Sequence, residues 1–396
     1  MDMTATTPPP AEASAAEHLK ALIGFDTVSH RSNAGLIDYA AGVLRANGVE
    51  PVLLPDETGE KIGLYATIGP LAPGGVVLSG HCDVVPVEDQ QWTTDPFEGV
   101  ERDGRIYGRG AADMKGFIAC CLAMVPEMVR ASLARPIHIV ISYDEETTCR
   151  GVIPTIEHMV DTLPRIDAVI VGEPTSMRIV TAHKGAYGYR IHVRGQSAHS
   201  SLAHQGVSAN ALAARLCVWL DDQMQARAAA ASDVSEAAEF EPPYTTCHVG
   251  TIGGGTACNI LAQDCRFEWD LRTVPGDDPA ALLADFRAEA DRLVAGAAAA
   301  GHFAAVEIEE DYAVPGLDPE PEGAAEALCR RLTGRNESAV VSYSSEAGQY
   351  QAAGLSTVLM GPGSIEQAHI ADEFIEIAQL EECRGVLRKL IATQGA

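Results

Sequence analysis

The chain has 396 residues, 46% of them hydrophobic, with 37 Gly and 22 Pro, which is enough for two globular domains with sizeable cores. Its 55 acidic against 28 basic residues give a formal net charge of -27, which argues against nucleic acid or an anionic membrane as partner. No apolar run approaches the roughly 18 residues of a membrane span. The start, MDMTATTPPPAEASAAEHLK, has neither the basic nor the apolar region of a secretory signal, and residues up to about Ala15 read as a mobile tail. Ten cysteines without a CxxC pair make neither a disulfide framework nor a zinc ribbon, so a cytoplasmic protein with reduced thiols is expected.

Residues 16–48 predict an amphipathic helix, a turn over Asp26–Ser32 and a second helix over Ile37–Ala46, and strands follow at Val52–Leu54 and Gly63–Ile68. The next strand, Val76-Val77-Leu78, is an apolar run that ends in a small turn and delivers His81 and Asp83. In an open α/β sheet, ligands sit beyond the carboxyl ends of the strands, so both side chains are expected to face a shared crevice. Cys82, between them, is expected to pack into the wall behind. Residues 92–109 are turn-rich, with Asp103-Gly104 marking a hairpin. GRGAADMKG, Gly108 to Gly116, then opens a helix over Phe117–Ser132. Asp113 therefore lies just before a helix amino end. Taken alone it reads as an N-cap; in company it reads as a metal ligand oriented by free N–H groups.

The strand-then-chemistry layout recurs three times. Ile137–Ile141 runs into Asp144, Glu145 and Glu146; DAVIVGE ends on Glu173; Thr357–Met360 runs into GPGSIEQAH and reaches His369. Singly, the acidic triplet is a solvated turn and Glu173 closes a turn before Pro174. Four strand ends that each carry His or a carboxylate point instead to one convergent site.

After about His183 the character changes. A strand over Tyr187–Val193, a turn, a helix over Ser208–Asp222, strands over Thr246–Ile252 and Cys265–Arg272, a helix over Pro279–Val294 and a strand over Ala305–Glu310 follow in the order βαββαβ, the ferredoxin-like split unit. The expected organisation is α/β: a mixed, largely parallel sheet flanked by helices over 1–183 and 315–396, interrupted by an α+β domain over 184–314. Along the Cys265 strand, Cys265, Phe267, Trp269 and Leu271 share one face, which puts Arg272 on the other. Gly253–Gly255 lacks the Lys-Ser/Thr of a phosphate loop, so nucleotide binding is not expected.

The metal candidates are His81, Asp83, Asp113, Glu145, Glu146, Glu173 and His369. Two His with several carboxylates and no thiolate suit zinc, with cobalt or manganese as substitutes. Two divalent ions about 3.5–4 Å apart, sharing a carboxylate, would polarise a carbonyl and activate a water between them. Three ligands per ion with one shared need five residues. Of the remaining acids, Asp83 suits a role behind His81, and one of Glu145 and Glu146 suits a general base. Spacing does not choose between those two.

SGHCDVVP, GRGAADMKG, DEE, GEPT, AHKG, GQSAHSS, GGGTACN, DLRTVPG and GPGSIEQAH, taken in order over residues 79–373, resemble a metallopeptidase and deacylase family. It includes acetylornithine deacetylase, succinyl-diaminopimelate desuccinylase, glutamate carboxypeptidase and aminoacylase, and AHKG with GPGSIEQAH resembles the acetylornithine deacetylase branch most. The resemblance implies a zinc exopeptidase-like catalytic domain in which His81, Asp113 and Glu173 bind one metal and Asp113, Glu146 and His369 the other. It makes Glu145 the base that takes the water's proton and passes it to the leaving amine, with Asp83 behind His81. It implies that the insert is a lid and homodimer contact, that His199 reaches the partner's site to stabilise an oxyanion, and that Asn259 and Arg272 hold a substrate carboxylate. Glu346, in SSEAGQY, would read the substrate's side chain or amine. A proline common before Asp-Glu is missing from Ile370-Ala371-Asp372-Glu373, and one common after Asn259 is also absent. The expected activity is removal of an acyl group from an N-acyl amino acid, N-acetylornithine foremost. A dipeptidase, a carboxypeptidase or a catabolic amidohydrolase is the alternative, followed by a binding protein without turnover.

Overall fold

A computed structural model describes residues 12–231 and 236–395. The tail expected up to Ala15 falls largely outside them. What is described of it is ordered: Ser14 caps a helix over Ala15–Ile23 in a reciprocal box with Glu17, and Ala15 is buried.

The chain divides into two compact units, 1–182 with 319–339 and 345–396, and 183–318 with 340–344. The first is organised on an eight-stranded mixed sheet. Its middle is four parallel neighbours in the order Ile137–Ser142, Gly75–His81, Ile166–Val171 and Thr357–Leu359. Antiparallel strands extend it: Ile62–Ile68 pairs with Ile137–Ser142, and Val52–Pro55 pairs with Ile62–Ile68. Helices cover the central strands, and every residue of Gly75–His81 and Ile137–Ser142 is buried, which is why these runs read as continuous apolar β segments. On one face Val76, Leu78, Ile137, Ile139, Ile141, Ala168 and Ile170 join a core with the helices Ala15–Ile23, Lys115–Arg130 and Ile377–Gln394.

The parallel register aligns the carboxyl ends. His81 lies opposite Ser142, while Ser79 and Leu359 both lie opposite Val171. The segments that leave these strands therefore start from one edge of the sheet, which is the geometric basis of the site. Among them the Asp103-Gly104 hairpin forms as expected: φ is 53° and 75°, and Arg102 pairs with Arg105.

The second unit is a four-stranded antiparallel sheet, Thr246–Gly254, Asp264–Thr273, Gly185–Arg194 and Ala305–Val314 in spatial order, with helices Ala209–Ala230 and Pro279–Ala299. Both helices run past the expected ends at Asp222 and Val294, because the following alanine-rich residues keep high helix propensity. Phe267, Trp269 and Leu271 pack with Phe286 and Leu216 in a separate core. Trp269 stacks on Tyr189 at 4.7 Å between ring centres and meets Phe286 at 5.3 Å. Among the described residues no helix is long and apolar enough to cross a membrane.

Candidate metal centre

His81 closes its strand with no exposed surface. Its Nδ1 lies 3.0 Å from the Asp83 carbonyl oxygen and 3.6 Å from Asp83 Oδ1. Both partners can only accept, so Nδ1 carries the proton, and a neutral ring turns the Nε2 lone pair toward Asp113 Oδ1 at 3.1 Å and Glu145 Oε2 at 3.8 Å. A lone pair facing carboxylate oxygens requires a cation between them or a proton on the ring.

Asp113 sits one residue before the cap of the Lys115–Arg130 helix. The cap residue is Met114, which makes no side-chain cap bond, and the Asp113 carboxylate is turned into the site instead. Its second oxygen, Oδ2, is 3.4 Å from His369 Nε2. One carboxylate thus faces two imidazoles, one through each oxygen. His369 also lies 3.0 Å from Glu146 Oε2. Single donor atoms of His81, Asp113 and Glu146 fall within 4.8 Å of one another.

Glu145 and Glu146 leave their strand through a tight turn in which Asp144 has φ 57° and pairs with Lys61 at 2.9 Å. Asp83 ties this turn to His81: its Oδ1 accepts from Glu145 N at 3.1 Å, and its Oδ2 accepts from Glu146 N at 3.3 Å and from Ser29 Oγ at 2.7 Å. Glu173 follows Gly172, where a Cβ would lie 2.0 Å from the Phe117 ring, so only glycine lets this strand end approach the helix. Glu173 is 3% exposed, and among the described residues its Oε1 has no hydrogen-bond partner. Cys82 packs behind the site, where burial pushes its thiol up to about 12.

The electrostatics state the same need for positive charge. Burial, then Asp113, raises Glu146 to about 7. Burial also raises Glu145 well above its ordinary range, helped by Glu146 and Asp113, and it raises Glu173 with Asp113 and Glu145. Burial pushes His81 down, but Asp113, Glu145 and Asp83 outweigh it and carry the ring well above 6.5. The hydrogen bonds to Asp113 and Glu146 take His369 to about 10. Four carboxylates and two imidazoles in one cluster can take up protons or divalent cations. The unpartnered Glu173 oxygen, the opposed His81 and Asp113 lone pairs and the absence of a thiolate from the donor set fit zinc-class ions.

Glu346 is placed differently from the sequence expectation. It is 1% exposed, its Oε1 accepts from Ser79 Oγ and its Oε2 from Ser142 Oγ, both at 2.6 Å, and Tyr350 donates to Ser79 Oγ at 2.8 Å. With both oxygens used inside the protein, it does not fit direct contact with a substrate; it laces the His81 and Glu145 strands together. In the second unit, Ser200 N donates to Asn259 O at 2.9 Å, so the His199 and Asn259 segments are neighbours. His199 Nδ1 accepts from Ser201 N at 3.2 Å, which leaves the proton of a neutral ring on Nε2. Arg272 is partly exposed and binds Asp270 Oδ2 at 3.0 Å and Ser344 Oγ at 3.3 Å. Sequence reasoning missed Arg109 and Glu373, which form a buried ion pair at 2.7 Å beside Asp113. The charged residue inside the otherwise small-residue stretch GRGAAD was the one available signal.

The model of the peptidase family M20/M25/M40 matches residues 77–393, a span that includes His81 through His369. The acetylornithine deacetylase of Erwinia tasmaniensis is 35% identical over 372 residues, covering 92% of this chain and 92% of its own. That of Pasteurella multocida is 34% identical over 378 residues, covering 94% and 95%. Among solved structures, the M20 family metallo-carboxypeptidase Sso-CP2 of Sulfolobus solfataricus has a TM-score of 0.74 at 19% identity over 96% of this chain and 99% of its own. A dinuclear metal binding peptidase of Bacillus subtilis has a TM-score of 0.65 at 15% identity over 96% and 97%. At such identities the structural likeness speaks for the fold, and it is that of an α/β protein with a largely parallel central sheet.

Proposed function

The chain belongs to peptidase family M20/M25/M40, and from that membership and the paired donors around Asp113 we propose a dinuclear metal-dependent amidohydrolase that removes the acyl group from an N-acyl amino acid, N-acetylornithine foremost. The observation that carries the reading is Asp113, whose two oxygens address His81 and His369 separately. In this reading His81, Asp113 and Glu173 hold one ion, and Asp113, Glu146 and His369 hold the other. Zinc is the proposed metal, with cobalt or manganese as substitutes. When bound, such ions polarise an amide carbonyl and lower the pKa of a water.

The chain's own residues supply the rest. Glu145 accepts the proton of the attacking water and delivers it to the leaving amine; its buried, raised carboxyl is supported as a base whose affinity for a proton is above the ordinary carboxylate range. Asp83 orients His81 and the Glu145-Glu146 turn together. Asn259 and Arg272 grip the substrate carboxylate. The insert is the lid and the homodimer contact, and His199 of one protomer donates from Nε2 to the oxyanion in the site of its partner, a role supported by the tautomer that Ser201 imposes. Ten free cysteines, eight of them buried, suit a reducing cytoplasm.

The test is kcat/KM of zinc-loaded protein on N-acetylornithine, other N-acyl amino acids and dipeptides. The proposal expects N-acetylornithine to lead. Preference for dipeptides would overturn the deacylase reading, and no hydrolysis after loading with zinc, cobalt or manganese would overturn the enzyme reading.

A further inference from the structure

Glu373 and Arg109 lie outside the donor cluster yet hold the backbone of two of its members. The Glu373 carboxylate is fully buried and accepts four N–H groups. Oε1 takes Ala112 N at 2.9 Å and Asp113 N at 3.1 Å; Oε2 takes Gly110 N at 3.1 Å and Arg109 Nη1 at 2.7 Å. Gly108 N donates to the Glu373 carbonyl at 2.9 Å. A single carboxylate therefore fixes the whole approach to Asp113.

Arg109, 1% exposed, faces the other way. Its Nη1 also donates to Ile370 O at 3.3 Å, and its Nη2 to Gln90 Oε1 and Pro86 O, with the Trp92 ring 5.1 Å from the guanidinium carbon. Gln90 Nε2 in turn donates to His369 O at 3.1 Å. The carbonyls of His369 and Ile370, in successive peptide links, are thus both held. His369 needs this, because its φ is 61°, and a non-glycine residue persists in the left-handed region only where its surroundings over-determine it.

We propose that Glu373 and Arg109 are positioning residues: a buried ion pair that sets the separation of Asp113 from His369 and so determines whether the second ion finds its ligands in register. The inference rests on the reading of Asp113 and His369 as ligands. Outer partners of metal ligands typically change affinity or activity about 10–100-fold when removed, and this pair meets backbone rather than ligand atoms, so its effect is carried by placement.

The experiment uses the full chain with Glu373→Gln, Arg109→Lys, Arg109→Met and, as a milder variant that spares the buried pair, Gln90→Met. Stepwise zinc affinities are read by competition with a chromogenic chelator, beside kcat, KM and the melting temperature. The expected result is a first ion weakened less than the second, because His81 and Glu173 are untouched, a second weakened about 10–100-fold, a matching fall in kcat with KM little changed, and a smaller loss for Arg109→Lys than for Arg109→Met. Variants that melt earlier but bind both ions and turn over as wild type overturn the proposal, as does a Gln90→Met protein with unaltered second-ion affinity if the others fail to fold. A wild-type chain that takes up fewer than two ions overturns the dinuclear reading itself, which separates that failure from the failure of the clamp.

Discussion

Replacing Glu145 by Gln is the sharpest test of its assigned role, because the structure says what the substitution leaves intact. The side chain is about one-tenth exposed, the amide is nearly isosteric with the carboxyl, and Cys149 Sγ, 3.5 Å from Glu145 Oε1, retains an acceptor. The backbone N–H that binds Asp83 is untouched, so the turn that presents Glu146 keeps its anchor. None of the five proposed ligands is altered. What disappears is the proton acceptor. General-base catalysis contributes roughly 10²–10⁴-fold, which at about 1.36 kcal/mol per tenfold corresponds to about 3–5 kcal/mol in the barrier. Glu145→Gln protein should therefore bind metal in wild-type amount, measured by elemental analysis, keep KM within a few-fold, and lose kcat by roughly two to four orders of magnitude. It should also be more stable than wild type when metal-free, because the folded state no longer holds a carboxyl that burial drives to take up a proton. Turnover near that of wild type would refute the reasoning; loss of bound metal would make Glu145 a ligand instead of a base.

Four further outcomes follow from the same structure. A chelator should lower the melting temperature and zinc restore it, since ligand at about 100 times its Kd adds about 2.7 kcal/mol; no shift in calorimetry would argue against a site preformed for metal. His138 is buried and its ring is pushed down by burial to about 4 from 6.5, so the folded state favours the neutral form, and its stabilisation is complete above pH 6.5 and lost as pH falls toward 4. At about 1.36 kcal/mol for each pH unit between those values, this contribution is on the order of 3 kcal/mol, and His138→Gln should flatten that part of the urea-unfolding profile. Phe286→Ala empties a fully buried site against Trp269 and Phe267, and should cost about 3–5 kcal/mol, read as loss of hydrogen-exchange protection in the second unit. If His199 serves the partner's site, mixing His199→Ala with Glu145→Ala chains should restore part of the activity, and verified mixed dimers without rescue would count against it.

The fold was readable wherever local pattern and environment agree. A strand buried on both faces shows as an unbroken apolar run, so Val76–Leu78 and Ile137–Ile141 announced themselves. A strand buried on one face alternates, and Cys265 to Leu271 are buried at every second residue as that pattern requires. Helix ends were less legible, because alanine-rich sequence past Asp222 and Val294 supports helix without marking where it stops. The site was readable for the same reason as the strands: chemistry placed directly after a parallel strand has one place to go.

Glu373 and Glu346 mark the limit of that reasoning, and they do so for a shared cause. Each is one acid among 55, neither follows a central strand, and what distinguishes them is which distant atoms their oxygens meet. Glu346 meets Ser79 and Ser142, two positions that look like ordinary small strand residues until the register sets them beside one acid. Glu373 meets three amides of one loop, those of Gly110, Ala112 and Asp113, and a guanidinium. A carboxylate in either place would be costly to bury without those donors, so the donors and the acid imply each other only once the chain is folded. The groups expected to carry the chemistry sit at strand ends and could be inferred from sequence. The groups that hold them in place are selected by long-range pairing, and for Asp113 that support comes from a residue near the far end of the chain.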